Sequence, residues 1–421
     1  MTAAAAASGS IAVPRTRQTV FGVLFVVFGL ALWFGFGRAT QPGETTTFGL
    51  SPGGVQATLP DWVVSTRPAL MVLALVCIFL GAVELVRGFG RMTNLSLALV
   101  AGMFVFGFLV WAAAGKSVNL GGLLNSSLDA AVPITLAALS GVLCERAGVV
   151  NIAIEGMMLM GAMVGALFGS VAHNALIGVA AALIAGGALG LFHGWLSIKY
   201  KANQIISGTV INIFSIGMTS YISSLILQRN QELNHPPILP AFPLPLLSKI
   251  PFVGPILFFN NPFVYSMFIL LIVIHVALFF MRWGLRHRAV GEHPKAADTL
   301  GINVFRTRYV AVVLSGMMAG FAGAYYTLGS VGRFDEVMTA GRGFIGLAAM
   351  IFGNWTPFGA FGASLLFGFA DALSSKLAIL GIAIPSHFLL MTPYIATMVV
   401  LAGVVGRSQM PAADGLPYEK E

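Results

Sequence analysis

Along most of this chain, polar residues are only punctuation between long apolar runs. Nearly charge-free windows of about 17 to 25 residues can cross a hydrocarbon core of about 30 Å as helices rising 1.5 Å per residue. About twelve such segments can be marked: 20–37, 68–86, 92–115, 129–144, 148–171, 176–198, 203–228, 262–281, 309–332, 343–353, 358–376 and 386–405. The 343–353 run is short, and 129–171 carries Pro133, Glu145, Arg146 and Glu155, so ten crossing helices with two re-entrant segments fit the same pattern. The fold class expected is all-α: a polytopic integral membrane protein with about 10 to 12 transmembrane helices.

Composition sharpens this. Only 38 of 421 residues are charged, 9 %, against roughly 25 % in soluble proteins, so lipid must be the solvent for most of the surface. Cys77 and Cys144 both lie in apolar runs, leaving no disulfide framework to read. With the amino terminus inside and the spans alternating, fifteen of the 23 basic residues fall inside and eight outside. That bias places both termini in the cytoplasm, and the net charge of +8 needs no nucleic-acid partner.

This divides the chain into a disordered cytoplasmic leader (1–19), amino-terminal transmembrane helices (20–115) with an external loop at 38–67, a core domain (120–406) and a cytoplasmic tail (407–421). The first span follows Arg15 and Arg17 and runs to Gly37 with no small-residue cleavage site after it, so it reads as an uncleaved anchor. Within the core, seven prolines in the external segment 229–261 favour extended or turn backbone. The internal segment 282–308 is the most densely charged, with six basic and two acidic residues.

Gly161, Gly165 and Gly169, then Gly186, Gly190 and Gly194, and later Gly316 and Gly320 recur every four residues. Small residues at that spacing share a helix face and let backbones meet, as membrane helices require. Catalytic signatures are missing. The GKS at 115–117 lacks the first glycine of a phosphate loop, and His173, His193, His275 and His387 stand singly. The expectation is a chain that is not an enzyme and holds no metal or cofactor of its own.

The candidates for function are therefore the polar residues left inside the membrane. Glu155 is the sharpest, because a carboxylate in a span must face a cavity, pair, or take a proton. Asn151, four residues earlier on one continuous helix, would share its face. Asn203, Gln204, Ser207, Thr209 and Asn212 open the span after Lys199 and Lys201; their mixed donors and acceptors suit a neutral hydroxylated or heterocyclic ligand, or helix-to-helix hydrogen bonds. Asn354 and Trp355 read as a turn, and Asp371 as a solvated carboxylate at an outer boundary.

The stretch GVLCERAGVVNIAIEGMMLMGA (141–162), followed by VGEHPKAADTLGINV (290–304), resembles the permease subunits of bacterial ABC importers for nucleosides and simple sugars. It is nearest the nucleoside branch and related to the ribose and branched-chain amino acid permeases. The resemblance covers roughly 120–406. It implies that Glu292, Pro294, Ala296, Ala297, Asp298 and Gly301 form a cytoplasmic coupling segment that docks on an ATPase. It also implies that Asn151 and Glu155 occupy the family's NIxxEG stretch. The partners implied are an ABC ATPase subunit carrying ATP and Mg, a second and distinct permease chain, and an extracellular substrate-binding lipoprotein at the bacterial cytoplasmic membrane. A simple-sugar permease, and a secondary transporter with Glu155 as proton carrier, are the competing readings.

Overall fold

The computed structural model describes residues 15–53, 59–380, 391 and 409–420. They divide into two compact units, one reaching Gly122 with 377–380, the other running from Leu123 to Lys376 with 391 and 409–420. Among the described residues ten helices are long and apolar enough to cross a membrane. The expected span 386–405 lies outside the described residues apart from Met391.

In the amino-terminal unit, α1 (Arg15–Leu30) runs through a wide π-helical turn, Ala31–Gly37, and is followed by α2 (Thr66–Val86) and α3 (Thr93–Ala112). α1 and α2 pack backbone to backbone: a Cβ on Gly29 would stand 2.8 Å from the Ala74 carbonyl oxygen, and one on Gly81 2.9 Å from that of Gly22. The segment 38–67 is more than a loop. It holds β1 (Thr45–Gly49) and β2 (Trp62–Ser65), paired antiparallel with Thr45 opposite Ser65. On the other edge of β1, β3 (Ser117–Asn119) pairs parallel. Buried Glu84 accepts the Phe89 amide at 2.8 Å and the Thr93 hydroxyl at 3.2 Å, which satisfies the turn into α3.

The second unit contains α4 (Leu120–Glu145, beginning three residues before it), α5 (Ile154–Val171), α6 (Ala175–Gly194), α7 (Gln204–Ile222), a five-residue α8 (Val253–Leu257) and α9 (Pro262–Phe280). Then come α10 (Arg282–Glu292), α11 (Pro294–Thr299), α12 (Val304–Ala324), α13 (Arg342–Phe352) and α14 (Pro357–Ile379). α13 has eleven residues, a length of about 16 Å at helical rise, so the 343–353 run does not cross a membrane. Between α7 and α9 the proline-rich segment is mostly extended or turn, with one residue pair joining β4 (Phe242–Pro243) to β5 (Phe259–Asn260) and the next closing it.

The glycine repeats lie where α5, α6 and α12 meet. A Cβ on Gly161 would stand 2.6 Å from the Cα of Gly320, and one on Gly190 2.6 Å from the Val312 carbonyl. Gly186 and Gly316 touch backbone to backbone, as do Gly320 and Ala182. Gly165 faces Ala182 and Gly178, Gly169 faces Leu328 and Pro236, and a Cβ on Gly194 would stand 3.3 Å from the ring of Tyr309. With no side chain between them, three apolar helices gain dispersion contacts that lipid cannot compete for.

Candidate functional site

α4 and α5 are joined by an irregular turn, 146–153, that enters through Gly148 at φ +81°. Asn151 is in this turn, so it does not share a helical face with Glu155; α5 begins only at Ile154. Irregular backbone at membrane depth exposes amides and carbonyls that must find partners. The polar residues expected to line a substrate path supply them. Gln204 Oε1 accepts the Val150 amide at 2.7 Å, and Asn212 accepts the Gly156 amide at 2.8 Å while donating to the Ile152 carbonyl at 2.9 Å. Asn151 donates to Ser315 Oγ at 2.9 Å and accepts the Ala153 amide at 3.0 Å. His193 bridges the Val150 carbonyl and Ser207, at 2.9 and 3.0 Å. Asn203 caps α7 through the amides of Ile205 and Ile206, and exposed Thr209 donates to the Ile205 carbonyl one turn back. Asn212 shows why a side-chain amide suits this break: it meets an orphaned donor and an orphaned acceptor at once.

Glu155, 4 % exposed, has a different task. Its Oε1 accepts the Thr339 hydroxyl at 2.6 Å and the Gly341 amide at 2.8 Å, and its Oε2 accepts the Gly343 amide at 2.6 Å. Those amides open α13, so the carboxylate caps that helix end and meets its positive dipole. The geometry thus assigns Glu155 to a neighbouring helix end.

Beside this cap is a cluster that sequence reasoning passed over. Arg342, first residue of α13, pairs with Asp371 of α14 at 3.0 Å, both half-buried. Asp371 is therefore not a solvated boundary carboxylate. The Arg342 guanidinium also stands 6.0 Å from the ring centre of Tyr326. Tyr325 and Tyr326 begin a π-helical turn, Tyr325–Ser330, that continues α12, and such turns expose side chains at angles an α-helix does not. The Tyr326 hydroxyl is buried with no hydrogen-bond partner among the described residues. The adjacent tyrosines in GAYYTLGS were the legible signal.

The third region is the charged segment. His293 caps α11 through the Ala296 amide, Pro294 takes the first helical position, and Gly301 at φ +79° ends the helix. α10 is held down by His287, whose Nε2–H donates to the Leu143 carbonyl at 2.8 Å; burial pulls this imidazole down to about 4. Ala296, Thr299 and Leu300 are exposed, Leu300 by 82 %. Ala297, by contrast, is buried against Val290, Val304 and Tyr418. Glu292 and Asp298 are already engaged within the chain, Glu292 accepting the Ala412 amide at 3.2 Å and Asp298 the Tyr418 hydroxyl at 2.8 Å. Of the residues expected to form the docking segment, Ala296 is exposed, whereas Ala297 is buried and Glu292 and Asp298 are hydrogen-bonded within the chain, so these three do not present a free outer face.

Residues 123–405 match the family described as branched-chain amino acid transport system / permease component. The chain belongs to this permease family. The match begins one residue beyond the amino-terminal unit, so the small sheet and its helices lie outside the matched residues. The permease is 40 % identical over 314 residues to the guanosine ABC transporter permease protein NupQ of Bacillus subtilis (strain 168), covering 71 % of this chain and 96 % of that one. It is 37 % identical over 303 residues to the nucleoside ABC transporter permease protein NupC of Lactococcus lactis subsp. cremoris (strain MG1363), covering 68 % and 93 %. More distantly, it is 27 % identical over 301 residues to a second guanosine permease protein of Bacillus subtilis (strain 168), NupP, covering 65 % and 81 %. No solved structure matches the permease.

Proposed function

We propose that this permease is the membrane subunit of an ABC importer for nucleosides in a bacterial cytoplasmic membrane. The observation that carries the reading is the segment α10–α11: a short capped helix, between two spans, presenting Ala296, Thr299 and Leu300 outward while its other face is anchored. Small side chains there let a partner surface approach closely. The ATP and Mg²⁺ belong to that partner ATPase; a second permease chain and a substrate-binding lipoprotein complete the assembly. Both termini are cytoplasmic, in line with the basic residues.

In this reading the Asn151, Gln204, Ser207 and Asn212 network is scaffolding, and the ligand meets the Tyr326, Arg342 and Asp371 cluster. A tyrosine ring can stack on a base, a carboxylate can accept from ribose hydroxyls, and the guanidinium beside it can donate to them. Alternating access then requires that this cluster bind its ligand differently in the two states. Nucleoside specificity rests on the similarity to NupQ and NupC.

The test is uptake by vesicles holding the assembled transporter. Labelled guanosine accumulation should require ATP, persist with a protonophore, and be competed by nucleosides. Accumulation that survives without ATP but collapses with the protonophore would make this a secondary transporter, and stronger competition by ribose than by adenosine or uridine would make it a sugar permease.

A further inference from the structure

The end of the chain is folded against the segment just described. Ala413, Asp414 and Tyr418 are each 6 to 7 % exposed, unusual for a terminal tail. The tail reaches several separate elements. The Gln409 amide donates to Asn354 Oδ1 at 2.8 Å, in the turn between α13 and α14, and the Ala413 amide to the Gly291 carbonyl at 2.9 Å, at the end of α10. Arg308 of α12 donates to the Leu416 carbonyl at 2.8 Å, and Lys201, before α7, pairs with Glu419 at 2.6 Å. The Ala412 amide and Tyr418 hydroxyl take up the two acids of α10–α11, and the Tyr418 ring lies 5.3 Å from that of Phe305. Asp414 is buried within electrostatic reach of Glu145 and Arg308, at the ends of α4 and α12.

We propose that residues 409–419 are a positioning strap that joins the coupling segment to α4, α7 and α12, so that a displacement of α10–α11 is passed to those spans. The inference rests on the ABC reading above. The strap does not lie over the outward face of α11: Ala296, Thr299 and Leu300 remain exposed with the tail in place. It therefore supports the docking element from behind, and is not a plug over it. Tyr418 is its central residue, since its hydroxyl holds Asp298 and its ring fills the space between α10, α11 and α12.

The experiment uses the whole assembled transporter in vesicles and reads guanosine molecules imported per ATP hydrolysed. Tyr418→Ala should lower this ratio roughly fivefold or more, with Tyr418→Phe between it and the unaltered chain, while the complex still assembles and hydrolyses ATP. An unchanged ratio in Tyr418→Ala overturns the strap. So does a parallel loss of uptake and hydrolysis with the complex falling apart, which would make the tail an assembly element. If the unaltered transporter imports without hydrolysing ATP, the ABC reading itself fails and the strap is not what was refuted.

Discussion

The carboxylate of Glu155 accepts the backbone amide of Gly343 at 2.6 Å, which ties the first turn of α5 to the first turn of α13. A Cβ on Gly343 would stand 2.7 Å from both the Cα and Oε2 of Glu155, so the approach depends on glycine. Glu155→Gln keeps the volume but turns an NH₂ toward donors. It should cost about 1 to 3 kcal/mol, read as a lower midpoint in thermal unfolding of the purified permease, with the uptake KM unchanged. A changed KM at unaltered stability would instead put Glu155 on the ligand.

Tyr326→Phe makes the opposite pattern. Its hydroxyl is buried without a partner among the described residues, so removing it should leave stability within about 0.5 kcal/mol or raise it. The nucleoside KM should rise about tenfold, the effect of one lost ligand hydrogen bond to a buried group. Uptake kinetics and a thermal melt on the same preparation check both halves.

Gly186→Val should break the α6–α12 contact. The added carbons would enter the backbone of Gly316 and Gly320, where nothing flexible can yield. Overpacking of this kind costs about 1 to 3 kcal/mol or more; the expected outcome is poor membrane yield and a lowered melting midpoint. Gly217→Ala, with open space around its Cβ position, should be tolerated.

Docking of the tail should depend on pH. Burial, with the Glu145 carboxylate second and the Arg308 guanidinium opposing both, pushes the Asp414 carboxyl well above its usual range. The docked state thus holds a proton that the released tail gives up above about pH 4. Its contribution is fully present below that value and declines as pH rises toward the docked pKa. The exposed Lys201–Glu419 pair works the other way, weakening only when Glu419 is protonated in acid, and adds little. Proteolysis of the tail in the intact permease should therefore be faster at pH 9 than at pH 6, and Asp414→Asn should flatten the difference.

The spans were legible because apolar length is a local property, and the glycine faces because a four-residue repeat survives in one dimension. The segment 282–308 was legible as a charged, proline-containing stretch, while its docking role came only from the family resemblance. What each polar residue does was not. Asn151 and Glu155 look alike as i, i+4 partners, but the chain leaves the helix between them, and only the third dimension shows that Asn212 and Gln204 are spent on that break. Asp371 resembled a boundary charge because nothing in one dimension brings it to Arg342, 29 positions earlier. The tail carried no apolar run or repeat at all, and beside Tyr418 and Glu419 its anchoring depends on backbone groups, which every sequence has.

The contact of Gly186 with Gly316, continued by Gly161 with Gly320, means that α5, α6 and α12 have no compressible layer between them. They behave as one stiff plank, and α12 is continuous with the chain leaving α11. Under the proposed ABC reading, a tug at the charged end would reach the tyrosine turn through these backbone contacts, with no side-chain layer at Gly161, Gly186, Gly190, Gly316 and Gly320 to absorb it.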